Sequence, residues 1–380
     1  MLESPQAYLK FDLNHQPASS IPAIDEDGRI RLPGFPAGLS IQSYLPLVHQ
    51  FAKILEASRI LDRYRDSLRL MARFNHALSK NGEPQAPLTA ITPSTLLPHF
   101  HYKREDQTAT RAYKLRGAMV GMAKLMESNH VKRFLTVSTG NHALGVLKAA
   151  ELLLPQSVRL VVPGNTASLK LEKLRKAIDG LNANGVQADL LLRGQTFDEA
   201  RAWALSNQQD HEAYLDPYCD PWVVAGQGTL GLELLQQIGD LLRASSEYEE
   251  VVIVSPIGGG GLLTGTATAL KLACAWEPAF RNVSVRFLGL RLDDLKAPLG
   301  DAIRVSEIAP TNEVALQALN VTIKTMTQAQ MEQGVQFVRH DLGHTVEGAS
   351  GGTLYPVLSE ADYQPSPRRL VISLLSGGNA

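Results

Sequence analysis

Cysteine is almost missing from this sequence: 380 residues hold two, Cys219 and Cys274. Neither lies in a CxxC pair or a Cys/His group at metal-ligand spacing, which excludes a disulfide-built scaffold and a structural zinc module. A charge surplus is missing too. Lys+Arg number 37 and Asp+Glu 38, for a formal net charge of -1. A chain that works by neutralising a phosphate backbone or an anionic membrane face needs a basic excess, so no nucleic-acid or membrane partner is expected. One stretch free of charge, Val251 to Leu270, contains Pro256, five glycines and three threonines. That composition suits strand, turn and helix better than a lipid-facing span. The opening Met1-Leu2-Glu3-Ser4-Pro5 has no basic or apolar leader region, so a cytoplasmic protein is the expectation.

What is present is ordinary globular material, 44% hydrophobic and 20% charged, and the length suggests two or three domains of roughly 100–200 residues. Residues 1–90 read as an N-terminal extension. Within it, the stretch with Pro17, Pro22, Pro33 and Pro36 has no period, while 41–80 reads as mostly helical, with Leu45, Val48, Phe51, Ala52 and Leu55 at three- and four-residue spacing. Asn81-Gly82-Glu83-Pro84 is a turn and a boundary. From about residue 95, apolar runs alternate with amphipathic segments. Strands are expected at 134–138, 158–162, 186–192, 250–255, 283–290 and 370–375. Helices are expected at 116–128, 141–153, 168–180, 196–209, 223–239, 260–275 and 328–340. Such alternation implies an α/β fold with parallel strands and helices on both faces, whose ligands bind beyond the carboxyl ends of the strands.

Three expected strands run into turns rich in Gly, Ser or Thr. Gly258, Gly259, Gly260 and Gly261 suit either an anion cup of converging N–H groups or a tight strand-to-helix turn. Their spacing fits neither a dinucleotide fingerprint nor a nucleotide P-loop. Ser138-Thr139-Gly140-Asn141-His142 suits a carboxylate or second anion at a helix start, or a plain N-cap by Ser138 or Thr139. His142 by itself reads as a packing or orienting residue. Lys103-Arg104-Glu105-Asp106 through Thr110 to Arg116 reads alone as a charged, solvated face with Thr110 as helix cap.

Taken together and in order, these segments resemble the fold-type-II pyridoxal-phosphate (PLP) enzymes, in particular the serine/threonine dehydratase group that includes serine racemase. The family's Lys-x-Glu…Thr-Gly-Ser-Phe-Lys-x-Arg-Gly-Ala aligns on Lys103 to Ala118, its Ser-Ser-Gly-Asn-His on Ser138 to His142, and its Val-x-Ala-Gly-Gln-Gly-Thr stretch on 223–229 with Glu233 following. Its tetraglycine loop matches Gly258 to Gly261, its Val-Glu matches Val346-Glu347, and its Ser-Gly-Gly-Asn matches Ser376 to Asn379. The resemblance implies two three-layer α/β lobes around a cleft, the small lobe roughly 115–225 and the large lobe from the flanking parts of 91–380, with PLP as cofactor and a homodimer as the assembly. It also implies roles. Lys114 would form the Schiff base and then serve as acid/base for the substrate α-proton. Tyr113 would pack on the cofactor ring, the four glycines would hold its phosphate, and Asn141 would bond its phenolic oxygen. Backbone groups of Ser138, Thr139, Gly140, Asn141 and His142 would hold the substrate carboxylate, with Thr139 a second catalytic residue on the opposite face. Ser376 would face the ring nitrogen, where a hydroxyl disfavours a protonated ring and so favours β-elimination over transamination.

Departures are informative. Arg111-Ala112 replaces Gly-Ser; Arg111 could read a second acidic group on the substrate or point to solvent. Thr139 replaces the serine of the racemases, which weighs against racemisation. Gly289-Leu290-Arg291 puts arginine where cation-activated members carry glutamate, so no such metal site is expected. The sequence ends just after Ser-Gly-Gly-Asn, so no C-terminal regulatory domain is expected. The expected activity is an ammonia-lyase (dehydratase) reaction on a small hydroxy- or β-substituted amino acid. A β-replacement synthase and a catalytically silent PLP-binding homologue are the alternatives.

Overall fold

The computed structural model describes residues 23–24, 30–31, 67, 89–129, 131–245, 247–274 and 277–379. The chain divides into a unit of residues 1–65 and a unit of residues 66–380. In the first, the described part is an antiparallel pair, β1 (Ala23–Ile24) and β2 (Ile30–Arg31). The helices expected over 41–80 lie outside the described residues, apart from Ser67, which is helical.

The second unit holds two sheets. Strands β5 (Arg133–Val137), β6 (Ser157–Val162), β7 (Gln187–Leu192) and β8 (Glu212–Tyr214) pair in parallel in the order β7-β6-β5-β8. The other sheet joins β3 (Ile91–Pro93), β4 (Phe100–Lys103), β9 (Glu250–Pro256), β10 (Ser284–Leu292), β11 (Thr322–Met326) and β12 (Arg369–Leu374) in the order β11-β10-β9-β12-β4-β3. Only β3 in it pairs antiparallel. The six strands expected from apolar runs all exist, within two residues at each end. The seven expected helices also exist, within five residues at each end: α1 (Lys114–Asn129), α2 (Asn141–Leu153), α3 (Ser168–Ala183), α4 (Phe197–Ser206), α5 (Pro221–Ala244), α6 (Gly261–Cys274) and, after the unexpected α7 (Pro310–Ala318), α8 (Gln328–Leu342). Two short helices, α9 (Gly348–Gly352) and α10 (Tyr355–Ser359), follow.

Burial explains the sequence of β9, Glu-Val-Val-Ile-Val-Ser-Pro. Val252 and Val254 pack with Met331 and Val338 of α8 on one face, while Val251 and Ile253 pack with Leu234 of α5 and Leu263 of α6 on the other. A strand covered on both faces needs apolar side chains at every position, not at alternate ones. The smaller sheet is layered the same way, with α1, α2 and α3 on one face and α4 on the other. Helix α5 serves both cores: Val223 belongs to one cluster and Leu230 to Leu242 to the other. Its start is fixed by Asp220, whose carboxylate accepts from the N–H groups of Trp222 and Val223, with Pro221 in the first turn. Helix α8 starts at a capping box of Thr327 and Gln330 and stops at Gly343 in the left-handed region.

The solvated-face reading of Lys103 to Asp106 is overturned. All four residues are buried, and Thr110 caps nothing, since α1 begins four residues later and the Thr110 hydroxyl bonds the Ala112 carbonyl. Lys103 donates to Glu233 at 2.7 Å, and Arg116 donates to Glu105 at 2.7 Å and to Glu233 at 2.5 Å. Charges that read as surface in a local window are here paired across β4, α1 and α5, and each has hydrogen bonds to satisfy it. Burial alone would raise the Glu233 carboxyl, but Arg116 and Lys103 hold it down to about 2. Its stabilising contribution is therefore present above the ordinary 4.5 and is lost as pH falls towards 2. Glu233→Leu should cost about 3–5 kcal/mol in urea unfolding at neutral pH, because it leaves two buried cations facing one carboxylate. A loss of under about 1 kcal/mol, the size of an exposed pair, would contradict this account of the network.

Candidate active site

Four strands deliver turns to one region at their carboxyl ends: β5, β8, β9 and β12. Lys114 stands at the first position of α1 and is 8% exposed. Its place is fixed from the β12 side, where the Tyr113 N–H donates to the Ser376 carbonyl at 3.0 Å and Ala112 bridges to Gly377. From the other side α2 presses close: a Cβ on Gly145 would stand 3.1 Å from the Lys114 backbone. The ε-amine donates to the Pro217 carbonyl at 2.7 Å. It lies 4.7 Å from the Tyr218 ring centre and 5.3 Å from that of Tyr113. Among the described residues no ion pair of Lys114 is found. Burial lowers its pKa to about 8, with Asp216 opposing. A buried, weakly basic amine of this kind is suited to attack a carbonyl and to exchange a proton near neutral pH.

The glycine turn lies just beyond Tyr218. Side chains there are excluded by the protein itself: a Cβ on Gly259 would come within 2.5 Å of the Tyr218 ring, one on Gly261 within 2.7 Å of the Tyr218 carbonyl, and one on Gly260, at φ 91°, within 2.9 Å of Asn312 and Ile308. Asn312 donates to the carbonyls of both Tyr218 and Gly259 at 2.8 Å. Of the two readings of this glycine run, the tight turn is seen directly, and the anion cup is compatible with it. The turn is packed, and among the described residues the backbone N–H groups from Gly258 to Leu263 donate to no protein acceptor. Consecutive unpaired donors at the start of a 14-residue helix suit an anion.

The turn after β5 differs. Its N-cap is Gly140, without a side-chain cap, so the cap reading of Ser138 and Thr139 is corrected. The Ser138 hydroxyl accepts instead from the Gly140 N–H at 3.2 Å. A Cβ on Gly140 would meet nothing within 4 Å, so this turn borders open space, and the N–H groups of Thr139, Asn141 and His142 are unpaired among the described residues. His142 is buried, with Nε2 3.1 Å from the Thr136 hydroxyl and 3.3 Å from the Leu215 carbonyl. Burial, then the Lys114 charge, press its pKa down to about 3, so it is neutral. Asn141 donates to both oxygens of Glu347, at 2.8 and 3.0 Å, and accepts from Asn379 at 2.9 Å. The Ser376 hydroxyl is 3.3 Å from that of Ser350. Lys114, Ser138 to His142, Ser376 and the glycine turn are thus brought together, the last by way of Tyr218.

Arg111 is exposed, and its φ of 53° is the conformation that favours glycine, the residue the resemblance puts there. Its guanidinium lies over Gly378. Arg291 donates to the Ser306 carbonyl at 2.8 Å. Among the described residues, no group of His, Cys, Asp and Glu side chains could hold a metal ion, and no helix is long and apolar enough to cross a membrane. Sequence reasoning missed Asp216, Tyr218 and Asn312. The signal was a fourth strand-to-helix turn, 215–220, hidden because β8 has three residues.

A lysine of lowered basicity thus stands beside two helix starts whose N–H groups have no partner among the described residues. Comparison with known proteins makes this particular: residues 80–377 match the family model described as "Pyridoxal-phosphate dependent enzyme", and the chain belongs to that family. It is 37% identical over 211 residues to threonine dehydratase 2 biosynthetic, chloroplastic, of Solanum lycopersicum, covering 55% of this chain and 32% of that protein. It is 28% identical over 315 residues to an L-threonine ammonia-lyase of Thermotoga maritima, covering 77% and 71%. A threonine deaminase structure from T.th. superposes with a TM-score of 0.65 at 27% identity, covering 84% of this chain and 98% of that one. The chain spans about a third of the length of the first curated relatives it matches.

The residues fit pyridoxal phosphate. The unpaired N–H groups at Gly258 to Leu263 suit a phosphate, the Lys114 amine suits an aldehyde, and Asn141 and Ser376 supply polar contacts between them. Glu347 completes this wall. Burial raises its pKa above 4.5 against the bond from Asn141. A raised carboxyl gives stability that is present at low pH and is lost as pH rises through its folded value. The stability difference between Glu347→Gln and the parent chain should therefore move in favour of the variant between about pH 4 and pH 8, read as Tm by scanning calorimetry without cofactor. A difference that stays constant with pH would contradict a carboxyl raised by burial.

Proposed function

We propose that this chain is a PLP-dependent ammonia-lyase that removes the amino group and the β-substituent from a small hydroxy- or otherwise β-substituted amino acid, giving a 2-oxo acid and ammonia. The observation that carries the reading is the Ser376–Ser350 hydroxyl pair at the end of β12, a neutral partner where the resemblance puts the ring nitrogen. The names of the threonine dehydratase and ammonia-lyase relatives support it. When bound, the cofactor supplies an electron-withdrawing ring that acidifies the substrate α-carbon. Residues of this chain do the rest. The N–H groups of Gly258 to Leu263 would hold the phosphate, those of Thr139, Asn141 and His142 would hold the substrate carboxylate, and Asn141, oriented by Glu347 and Asn379, would bond the phenolic oxygen. The Lys114 amine takes the α-proton, the β-hydroxyl leaves with a proton as water, and a later water replaces the amino nitrogen. A neutral His142 adds no cation beside Lys114 and so does not suppress its basicity.

Further parts of the reading are a small lobe near residues 115–225, a homodimer, and a cytoplasmic setting in keeping with the two unpaired cysteines. Lys114→Ala should abolish the visible absorbance that PLP gains on attaching to the protein. It should also lower ammonia release from serine or threonine by at least about 10²–10⁴-fold. Ammonia and 2-oxo acid formed at the parent rate by that variant, or no release from any β-substituted amino acid by coloured parent protein, would contradict the proposal. Release of a β-substituted product only when a thiol is added would point to β-replacement instead.

A further inference from the structure

We infer that Tyr218 is a positioning residue for Lys114: the face of its ring, seated on Gly259, holds the ε-amine beside the glycine turn by cation–π attraction. The inference rests on the reading of Lys114 as the lysine that attaches the cofactor. The amine lies 4.7 Å from the Tyr218 ring centre and 5.3 Å from that of Tyr113, so two aromatic rings flank it. Within about 6 Å of a ring face an ammonium is attracted by the negative centre of the π-system, and more strongly where water is excluded. The Tyr218 ring cannot drift. Its N–H donates to Asp216 at 2.8 Å, its carbonyl accepts from Asn312 at 2.8 Å, and its ring stands edge-on to Phe197 at 6.2 Å. Gly259 lies under the ring at a distance no side chain would permit. One residue thus ties the amine to the glycine turn. Among the described residues the phenol oxygen makes no hydrogen bond, so the ring face, and not the hydroxyl, carries the role.

The groups that face the amine are few. Asp216 comes from the turn after β8, His142 from α2, Tyr113 from the residue before α1 and Tyr218 from the same turn as Asp216, with Cys219 beside Asp216. Asp216 and the two rings favour the ammonium, and burial opposes it.

In the full chain freed of cofactor, the rate at which added PLP gains visible absorbance follows the uncharged fraction of the attaching amine, so its pH midpoint reports the amine's acidity. Phenylalanines with increasing ring fluorination at position 218 keep the shape of the ring while draining its face of negative charge. We expect Tyr218→Phe to keep the parent midpoint. Fluorination should lower it stepwise, by about 0.4–1.5 pH units over the series, and Tyr218→Leu should lower it comparably. A midpoint that stays flat across the fluorinated series, while colour still requires Lys114, would overturn the role of the ring alone. A Phe variant displaced as far as Leu would overturn it too. Colour that develops equally in Lys114→Ala would overturn the attachment reading, and this inference with it.

Discussion

A single buried amine sets the terms for the rest of this structure. The Lys114 ε-amine is out of water, bonded to one carbonyl oxygen and flanked by rings, with no carboxylate paired to it among the described residues. A full ion pair would keep it permanently charged, and full exposure would leave it at the ordinary lysine value. Either would make it a poor nucleophile near neutral pH. Of the turns that surround it, those after β5 and β9 leave backbone N–H groups at helix starts without partners among the described residues, while those after β8 and β12 position side chains. The fold thus places helix starts with free N–H groups and an amine of lowered basicity in the same region, an arrangement suited to a phosphate-bearing aldehyde.

Much of this was readable in the residues. The double-sided burial of β9, of the middle of β10 and of β12 demanded apolar runs, and those runs stood out against the amphipathic helices between them. Glycines at 258–261 marked a turn where side chains are excluded, and the order of the motifs identified the family. The short or exposed elements were not readable in the same way. Strand β8 has three residues and β11 has Ile323 exposed on an edge, so neither carried a clear pattern. The turn after β8, and Tyr218 with it, passed unnoticed for that reason.

The charges at Lys103, Glu105, Arg116 and Glu233 were misread for a different reason. A local window cannot show that partners 130 residues apart will meet in a water-free layer. The same holds for the glycine turn. Its spacing excluded the common nucleotide-binding modes, yet only the fold shows that side chains there are excluded, largely by the Tyr218 ring and Asn312. The packed turn and the free N–H groups are two faces of one segment, and the second depends on the first being rigid.

The most direct measurement is chemical. Borohydride reduction of the PLP-loaded full chain, followed by proteolysis and peptide mass analysis, records which lysine carries the cofactor. This account predicts a pyridoxyl group on Lys114 and on no other lysine in stoichiometric amount. Labelling at a different lysine, or no reducible attachment in protein that has bound the cofactor, would contradict it.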